Sequence, residues 1–502
     1  MVRIFPLICQ GMNKMVINHL DKTIVTSDAA TIVQEIEVQH PAAKMIAMAA
    51  DMQNKECGDG SNFVMVLCGE LMQQAENLIK EGLHPSDILI GYEKASKKCL
   101  DLLESLVAYN IEDIRNIDEI TKVMKAVVSS KHYGNENTLA PLVAQACTYS
   151  MPKTGSSFST ENVRVVKVLG GSLNDSEVVH GLAILRGSET SVQHVKDCKV
   201  AVFNCELQAE NGDTKGTVVF KTAEDLINYT KSEEEAMEKF VKKLSDKGVN
   251  VVFGQGVMSD ICIHYMEKYK IMTVKILSKF ELRRIAKTLG ATMLVRLDAP
   301  TPDEMGHAET ISVDEIASHR VCVIKREEED NKLATIIVRG SSNSMLEDSE
   351  RAIDDGVNTY KNMTRDQRFV AGGGATEIHL GSQIQTFAKT QPGLDQYAVE
   401  KFGQAFEAIP RTLAENAGLN AVEIIAKLYS ETAKSPFFGI DVEDGKIKDM
   451  KDYEVFDSLE TKSWAIKLSI DSVLTILKVD QIIMSKPSGG PNTQAVKPPM
   501  AG

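Results

Sequence analysis

The stretch HPAAKMIAMAADMQNKECGDGSN, residues 40–62, joins a helix-forming segment to a glycine-rich turn. Small and branched apolar residues recur at helical spacing behind Pro41, and proline is favoured in the first turn of a helix. The run Gly58-Asp-Gly interrupts this pattern, and a second helical period then continues from Phe63 to Lys80, ahead of Gly82. The sequence therefore predicts two long helices joined by a short glycine and aspartate loop.

This loop has the chemistry of a phosphate and metal site. Its two glycines allow turns that other residues disfavour, and Ser61 or Asn62 can cap the helix that begins at Phe63. A helix N-terminus attracts phosphate, whereas the Asp59 carboxylate repels it unless a divalent cation lies between them. The combination indicates Mg²⁺ between a carboxylate and a phosphate. The alternative is a capped turn without a ligand, which is the commoner use of Asp-Gly before a helix.

Two further motifs lie in the second half of the chain. The segment EDSERAIDDGVNTY is predicted to be helical and carries adjacent carboxylates at Asp354 and Asp355. Such a pair ordinarily forms a solvated helix face, and Asp355 can orient or deprotonate water only if it points into a water-poor pocket. The motif AGGGATE, residues 371–377, either lets a nucleotide lie on the backbone or forms a flexible turn. Together with the first loop, these motifs outline an Mg-ATP site.

Composition excludes several classes of protein. A chain of 502 residues exceeds the size of a single hydrophobic core, so two or more domains are expected. The net charge of −14, without a basic cluster, argues against nucleic-acid binding. No apolar run approaches the roughly 18 residues of a membrane helix. The nine scattered cysteines and the lack of a secretory signal predict reduced thiols in a soluble, cytoplasmic protein.

Periodicity predicts helical chain ends around a mixed middle. Strand, helix and strand alternate between Val200 and Val295, which predicts an inserted domain with parallel strands. The Pro- and Gly-rich tail from Ser485 is predicted to be disordered. P-loop, dinucleotide-binding, zinc-protease and serine-hydrolase motifs are absent from the sequence. The remaining predicted helices are Ile88–Leu106 and Ile114–Val128, and the predicted strands are Val163–Leu169, Val200–Asn204, Val249–Phe253, Met272–Ile276 and Leu333–Val338.

The order of the motifs resembles that of the group II chaperonins. The shared motifs are HPAAK, GDGSN, Ser130-Lys131 before a helix, GGS at residues 170–172, IDDG, AGGGATE, AIPRTLAENAG and GKIKDM, and the likeness runs from about Gly11 to about Met484. The resemblance implies a multidomain α+β/α chaperonin fold. Its parts would be a mostly helical, discontinuous equatorial ATPase domain, a discontinuous intermediate hinge domain and an α/β apical domain. The implied boundaries are 1–110 equatorial, 111–174 intermediate, 175–331 apical, 332–368 intermediate, 369–484 equatorial and 485–502 tail.

The resemblance also implies cofactors and site residues. The cofactors would be ATP and Mg²⁺, and the catalytic residues would be Asp355, the hydrolytic carboxylate of the intermediate domain, and Asp28, beside the γ-phosphate and its water. The other implied roles are Asp59 as the metal ligand; Gly11, Gly60, Ser61 and Asn62 around the phosphates; Lys131 as the γ-phosphate sensor; Gly373 and Gly374 along the nucleoside; and Asp457 near the ribose.

Family membership would further imply an assembly and a cycle. The subunit would act with seven paralogous subunits in a double ring of eight per ring, and it would fold clients that include actin and tubulin. A protruding apical segment, about Thr217 to Lys243, would form the lid. Because Asp59 and Asp355 lie almost 300 residues apart, the site would be complete only when the intermediate domain swings down.

Three departures from the family pattern leave alternatives open. The phosphate loop at residues 8–15 lacks the usual Gly-Pro, SDAAT replaces the commoner N-D-G-A-T, and Phe63 replaces a hydroxyl residue. The sequence also starts later than a full subunit, which predicts a truncated N-terminus and poor incorporation into rings. The alternatives to an active ATPase are an impaired isoform, a non-catalytic structural subunit and, less well supported, a small-molecule kinase.

Overall fold

The computed structural model describes residues 13–18, 21, 23–36, 38–152, 158–208, 223–316, 319–326 and 333–483, with the backbone alone for 223–233. Gly11, the predicted tail 485–502 and residues 217–222 of the predicted lid lie outside these ranges. The helices are α1 Ala29–Glu35, α2 Pro41–Glu56, α3 Ser61–Lys80, α4 Pro85–Glu104, α5 Ile117–Ser129, α6 Glu136–Ser150, α7 Ala223–Asp246, α8 Asp260–Lys268, α9 Lys279–Leu289, α10 Asn343–Met363, α11 Ala375–Ala388, α12 Asp395–Ala405, α13 Ala408–Asn416, α14 Ala421–Thr432 and α15 Leu459–Leu477.

The strands are short except around the middle of the chain. They are β1 Lys14–Ile17, β2 Thr23–Thr26, β3 Val107–Asn110, β4 Val163–Leu169, β5 Glu177–His180, β6 Leu182–Ile184, β7 His194–Phe203, β8 Val251–Gln255, β9 Met272–Ile276, β10 Met293–Leu294, β11 Gly306–Ile316, β12 His319–Lys325, β13 Ala334–Gly340, β14 Arg368–Ala371, β15 Phe438–Asp441, β16 Lys446–Asp449 and β17 Phe456–Ser458.

Helices from the two chain ends share one hydrophobic core. Helices α2, α3 and α4 pack with α11, α12 and α15, so that Leu71 and Ile470 lie in the same buried cluster. The Tyr92 hydroxyl donates to the Leu71 carbonyl at 3.0 Å, and its ring meets Phe402 edge-on at 5.4 Å. The core is therefore built from sequence segments that the rest of the chain separates.

The middle of the chain forms a seven-stranded sheet in the order β6-β12-β11-β7-β8-β9, with β10 beside β7. Strands β7, β8 and β9 are parallel, as the alternation between Val200 and Val295 predicts. Along β7, Val200 and Val202 enter one hydrophobic cluster, and Ala201 and Phe203 enter another. Burial on both faces explains why these parallel strands read as continuous apolar runs.

A smaller unit connects the helical core to this sheet. Strand β13 pairs parallel with β4 and antiparallel with β5. Helices α6 and α10 pack against this sheet and each other, and α5 packs against both helices. Tyr360 of α10 is fully buried, and its hydroxyl donates to the Ile114 carbonyl at 2.8 Å. Helix α10 is thereby fixed along one side of the unit.

Two details differ from the sequence prediction. Helix α3 begins at Ser61, two residues early, so the prediction that Ser61 or Asn62 caps it is wrong. Gly60 occupies the cap position in the left-handed conformation (φ 85°), which places both side chains inside the first turn. The predicted C-terminal helices are present. The hairpin of β15 and β16 was not predicted, although the Asp444-Gly445 pair is typical of a hairpin turn.

The cysteines fit a reduced protein. The structure describes eight of them, all as free thiols, with seven buried and Cys205 half-buried. Among the described residues, no helix combines the length and apolarity that crossing a bilayer requires.

Candidate active site

Lys131, just beyond the C-terminal end of α5, is surrounded by carboxylates from distant parts of the chain. Its Nζ lies 2.6 Å from Asp28 Oδ1 and 3.5 Å from Asp355 Oδ2, and all three side chains are only 11–12% exposed. Asp59 lines the same cavity as Lys131. Burial raises the pKa of Asp59, and the positive charge of Lys131 opposes this rise. We call Lys131 with Asp28, Asp59 and Asp355 the aspartate cluster. The structure therefore places Asp59 and Asp355, which the sequence motifs single out, and Asp28, which the family resemblance adds, around Lys131 and its cavity.

Asp28 is held in place as the N-cap of α1. Its Oδ2 accepts hydrogen bonds from the Thr31 backbone N–H at 2.9 Å and from the Thr31 hydroxyl at 2.7 Å. Burial raises the pKa of Asp28, but Lys131 and Thr31 outweigh it and lower the pKa to about 2. Asp28 is therefore ionised at neutral pH and can act as a fixed negative charge or hydrogen-bond acceptor.

Asp355 has a different environment. It is 8% exposed, and its Oδ2 makes no hydrogen bond within the described ranges. Burial raises its pKa well above the ordinary value, the charges of Asp59 and Asp28 add to this rise, and Lys131 opposes it. A buried carboxyl with a raised pKa is suited to accept a proton near neutral pH. The neighbouring Asp354 is exposed, but partial desolvation raises its pKa to about 6, so the solvated-face interpretation holds for Asp354 in part and not for Asp355.

Gln53 holds the loop that carries Asp59. Its side chain is fully buried in the apolar stripe of α2. The Gln53 Nε2 donates to the Asp59 carbonyl at 2.9 Å and to the Thr461 carbonyl at 3.2 Å. The Gly60 N–H donates to Asp59 Oδ1 at 2.6 Å, and burial raises the pKa of Asp59. Gln53 was not predicted as a site residue. The one indication in the sequence is that a polar amide occupies a position that is otherwise apolar in the helical repeat.

Helix α10 docks directly on this loop. A Cβ added to Gly58 would lie 2.2 Å from the Asn358 Cβ, so only glycine permits this approach. The Asn362 Nδ2 donates to the Cys57 carbonyl at 2.9 Å, and the Arg351 Nη1 donates to the Thr26 hydroxyl at 3.0 Å. Helix α10 thus contacts both the Asp59 loop and the strand that leads to Asp28, which brings Asp355 into the cluster.

A cavity of about 300 Å³ opens beside the cluster. Its lining includes polar groups from the α3 N-terminus and from α15, and the Asn62 Oδ1 is buried without a partner in the described part of the chain. The lining residues are Asp59, Gly60, Ser61, Asn62, Phe63, Ala126, Val127, Ser130, Lys131, Thr359, Leu413, Asp457, Ser458, Thr461, Lys462 and Ala465.

Other predicted site residues are not part of this lining. Asp28 and Asp355 contact Lys131, which does line the cavity. Gly373 accepts a hydrogen bond from the Ile440 N–H at 2.9 Å, and Gly374 caps α11, where an added Cβ would lie 2.8 Å from Pro410. Both glycines pack against protein, and their nucleoside contact remains a prediction.

A second charged cluster, which sequence analysis missed, lies on the same cavity. The Lys462 Nζ pairs with Glu377 and lies 3.0 Å from Asp457 Oδ2, and its charge lies 5.1 Å from the centre of the Phe63 ring. Glu377 belongs to AGGGATE and is 1% exposed. Its burial could not be read from the motif, because a glutamate in the first turn of a helix is ordinarily solvated.

The residues fit a magnesium nucleotide better than a bare metal. Within the described ranges, no three His, Cys, Asp or Glu side chains form a ready-made metal site. Mg²⁺ commonly takes one or two carboxylates and completes its shell with substrate phosphates and water. Asp59 supplies a carboxylate at a helix N-terminus. Asn62 Oδ1 and Asp355 Oδ2 are buried without a hydrogen bond from any described residue, although Asp355 Oδ2 lies 3.5 Å from Lys131, and both oxygens can accept hydrogen bonds from a ligand or its water.

Comparison with known proteins defines the class. The TCP-1/cpn60 chaperonin family matches residues 9–487, and the chain belongs to this family. The chain is 49% identical to the T-complex protein 1 subunit theta of Gallus gallus and to that of Homo sapiens, over 97% of this chain and 89% of each relative. It is 46% identical to the theta subunit of Arabidopsis thaliana over 98% of this chain and 90% of the relative.

These similarities confirm the predicted group II chaperonin fold and its multidomain α+β/α class. The motifs also resemble those of the theta subunit in particular, and the relatives confirm this prediction. The chain is therefore a chaperonin subunit that acts in ATP-dependent protein folding.

Lys131→Met should make stability depend on pH in a defined direction. Lys131 lowers the pKa of Asp28, Asp59 and Asp355, so its removal raises all three. A carboxyl with a raised folded-state pKa contributes stability that is complete below its unfolded-state pKa and is lost as pH rises through the folded-state pKa, so the deficit of the variant should grow as pH rises from about 4, the ordinary carboxyl pKa, toward neutral pH. Loss of one partner of a buried pair costs about 3–5 kcal/mol.

Thermal unfolding of the assembled complex across this pH range measures the effect. Lys122→Met is the matched control, because Lys122 pairs with Glu454 at 2.8 Å at an exposed position. Its stability deficit should be small and constant with pH. An equally flat profile for Lys131→Met would contradict the assigned electrostatics.

Proposed function

We propose that this subunit binds and hydrolyses Mg-ATP in the cavity beside Lys131. The observation that carries the proposal is the convergence of two distant aspartates, Asp28 and Asp355, on one buried lysine at the edge of the cavity that Asp59 lines. A structural ion pair rarely requires two buried carboxylates and a third half-buried one near a single cation, because the excess negative charge is costly. A divalent cation bound with a ligand would neutralise this excess negative charge, and one of the carboxylates could then accept a proton.

The proposed role of each residue follows from its environment. Asp59, at the α3 N-terminus, would hold Mg²⁺, which would neutralise phosphate charge, and Ser61 and Asn62 would contact the phosphates. Asp355 would orient the attacking water and take its proton, as its raised pKa allows. Asp28 would stay ionised and orient the same water, and Lys131 would move from carboxylate to phosphate oxygen.

Hydrolysis would be coupled to the position of α10. Asp355 and the Gly58 contact residue Asn358 lie on this helix, while Asp59 lies on the loop beneath it. A nucleotide that binds the docked arrangement better shifts the population toward it. The undocked subunit would bind ATP, and only the docked subunit would hydrolyse it.

The proposal extends to partners and location. The subunit would act in the cytoplasm in a double ring of eight per ring with seven paralogous subunits, and its clients would include actin and tubulin. The theta names of the relatives and the described exposed apolar residues of the central sheet domain, such as Phe280 at 77%, support a client-binding assembly.

A second candidate is a structural subunit that does not hydrolyse ATP. Phe63 favours it, because this apolar ring lines the cavity where a hydroxyl would otherwise contact phosphate. The contact of 2.6 Å between Lys131 and Asp28 also satisfies part of the cluster without a ligand.

Asp59→Ala should reduce nucleotide binding at this subunit at least about ten-fold, because a carboxylate ligand of the metal is lost. Photolabelling of the assembled complex with 8-azido-ATP, followed by separation of the subunits, measures binding at this chain alone. Asp101→Ala, at an exposed position of α4, is the control. Chelation of Mg²⁺ should reduce wild-type labelling to the level of Asp59→Ala. Equal labelling of both variants, with unchanged Mg²⁺ dependence, would contradict the proposal.

A further inference from the structure

The hydroxyl group of Thr26 connects helix α10 to the backbone of Asp28. Thr26 is the last residue of β2 and is only 1% exposed. Its Oγ1 accepts a hydrogen bond from the Asp28 backbone N–H at 3.0 Å and another from the Arg351 Nη1 at 3.0 Å. A hydroxyl oxygen has two acceptor lone pairs, so these two donors use both of them. One buried atom therefore links a guanidinium of α10 to the main chain of Asp28.

Carboxylates of the same helix hold the Arg351 side chain in place. Its Nη1 lies 2.6 Å from Asp348 Oδ1, and its Nη2 lies 3.5 Å from Glu347 Oε2. The Arg351 and Asp348 side chains are only 21% and 18% exposed, so water screens their contact weakly. Because a guanidinium is planar and its donors are fixed in direction, these contacts orient the group toward Thr26.

Arg351 shares its helix face with Asp355. The two residues lie four positions apart on α10, and residues at this spacing are neighbours on the surface of a helix. Asp355 and Asp28 both approach the Lys131 ammonium, at 3.5 and 2.6 Å. Thr31 holds the Asp28 carboxylate, and the hydroxyl described above holds the Asp28 backbone. The same face of α10 therefore carries one carboxylate of the cluster and supports the backbone of the other.

We propose that Arg351 is a positioning residue that sets Asp28 relative to Asp355 through the Thr26 hydroxyl. This inference rests on the proposed function, which assigns both carboxylates to the attacking water. Among the described residues that line the cavity, neither Thr26 nor Arg351 occurs. Loss of their contact should therefore slow hydrolysis and leave nucleotide binding unchanged, because a displacement of about 1 Å in a catalytic group can lower a rate by about 10²-fold.

The test follows hydrolysis at this subunit alone, after photolabelling of the assembled complex with 8-azido-ATP that carries label on the α- or the γ-phosphate. The α-label reports binding, and loss of the γ-label reports hydrolysis. Thr26→Val removes the hydroxyl, whereas Thr26→Ser keeps it. Arg351→Met removes the guanidinium. Arg368→Met is the control, because Arg368 pairs with Asp366 at 2.8 Å and its side chain is 45% exposed.

Thr26→Val should slow the loss of γ-label at least about ten-fold, because the Asp28 N–H and the guanidinium both lose their acceptor. The α-label should stay within about two-fold of wild type. Thr26→Ser and Arg368→Met should hydrolyse within about two-fold of wild type. Arg351→Met should be slowed by a factor similar to that of Thr26→Val, and the double variant should be no slower than either, because both changes remove the same contact.

Four results would overturn the inference. Hydrolysis by Thr26→Val at the wild-type rate would show that the hydroxyl positions nothing. An equal slowing in Thr26→Ser would assign the effect to packing of the side chain. Losses that multiply in the double variant would show that the two residues act separately, and a parallel loss of α-label would assign the contact to binding or to structure alone. Retention of the γ-label by wild type would instead overturn the proposed function, so the two failures are distinguishable.

Discussion

Asp355→Ala will leave this subunit able to bind ATP in the assembled complex, while its hydrolysis falls by about 10²–10⁴-fold, the usual contribution of a general base. The carboxyl is buried, lies 3.5 Å from Lys131 and has a raised pKa, so it has the environment of a proton acceptor. We expect the fold to survive this change. Its removal relieves a desolvated charge, and Lys131 keeps its contact with Asp28.

The measurement must separate this subunit from others in the complex. Photolabelling with 8-azido-ATP that carries label on the α- or the γ-phosphate gives two signals on the same chain. Their ratio reports the fraction hydrolysed. The γ-label should disappear with time in wild type and persist in Asp355→Ala, at equal α-label.

Asp354→Ala is the matched control, because the adjacent carboxylate is exposed and its charged neighbours, Glu350 and Lys167, lie outside the aspartate cluster. It should behave as wild type. If Asp355→Ala instead loses the α-label, the residue serves binding and its assignment is wrong. If both variants hydrolyse normally, the structural-subunit alternative gains support.

Gly58→Ala should abolish hydrolysis by a different route, through the docking of α10. The new Cβ would overlap the Asn358 Cβ at 2.2 Å, and the residue would also be strained at φ 76°. The left-handed conformation costs about 1–2 kcal/mol, and overpacking adds about 1–3 kcal/mol. Helix α10 should therefore move away from the loop and take Asp355 with it, so that hydrolysis falls as in Asp355→Ala.

Two variants separate the overlap from the strain. Gly82→Ala introduces the same conformational strain at φ 99° where nothing lies within 4 Å, and it should retain hydrolysis. Gly58→Ala with Asn358→Gly removes the overlapping atom and should recover much of the activity. Failure of this pair to recover, with the fold intact by thermal unfolding, would contradict a role for α10 docking.

Much of this architecture could be predicted from local patterns. The helices around the Asp59 loop and the parallel strands from Val200 to Val295 follow from periodicity and turn residues, because these depend on neighbours in sequence. The error at Ser61 has the same origin. A serine before an apolar run is typical of a cap, yet Gly60 is free to adopt the left-handed conformation and starts the helix earlier.

The pairings within the site could not be predicted in this way. Periodicity shows that α10 has a buried face, but the environment of Asp355 depends on the Asp59 loop, which lies almost 300 residues away. Gln53 and Lys462 lack any motif of their own. Their roles depend on which backbone carbonyls and carboxylates the fold places beside them. The family resemblance predicts the aspartates as site residues, whereas the residues that hold them in place can be recognised only from the three-dimensional structure.

A cryo-electron microscopy structure of the assembled complex with Mg²⁺ and a non-hydrolysable ATP analogue tests the central claim most directly. We predict a triphosphate in the cavity of this subunit, with the metal at Asp59, with Asp355 and Asp28 around the terminal phosphate, and with Gly58 against Asn358. An empty cavity, or a bound nucleotide from which Asp355 is separated by tens of ångströms in every class of particle, would contradict it.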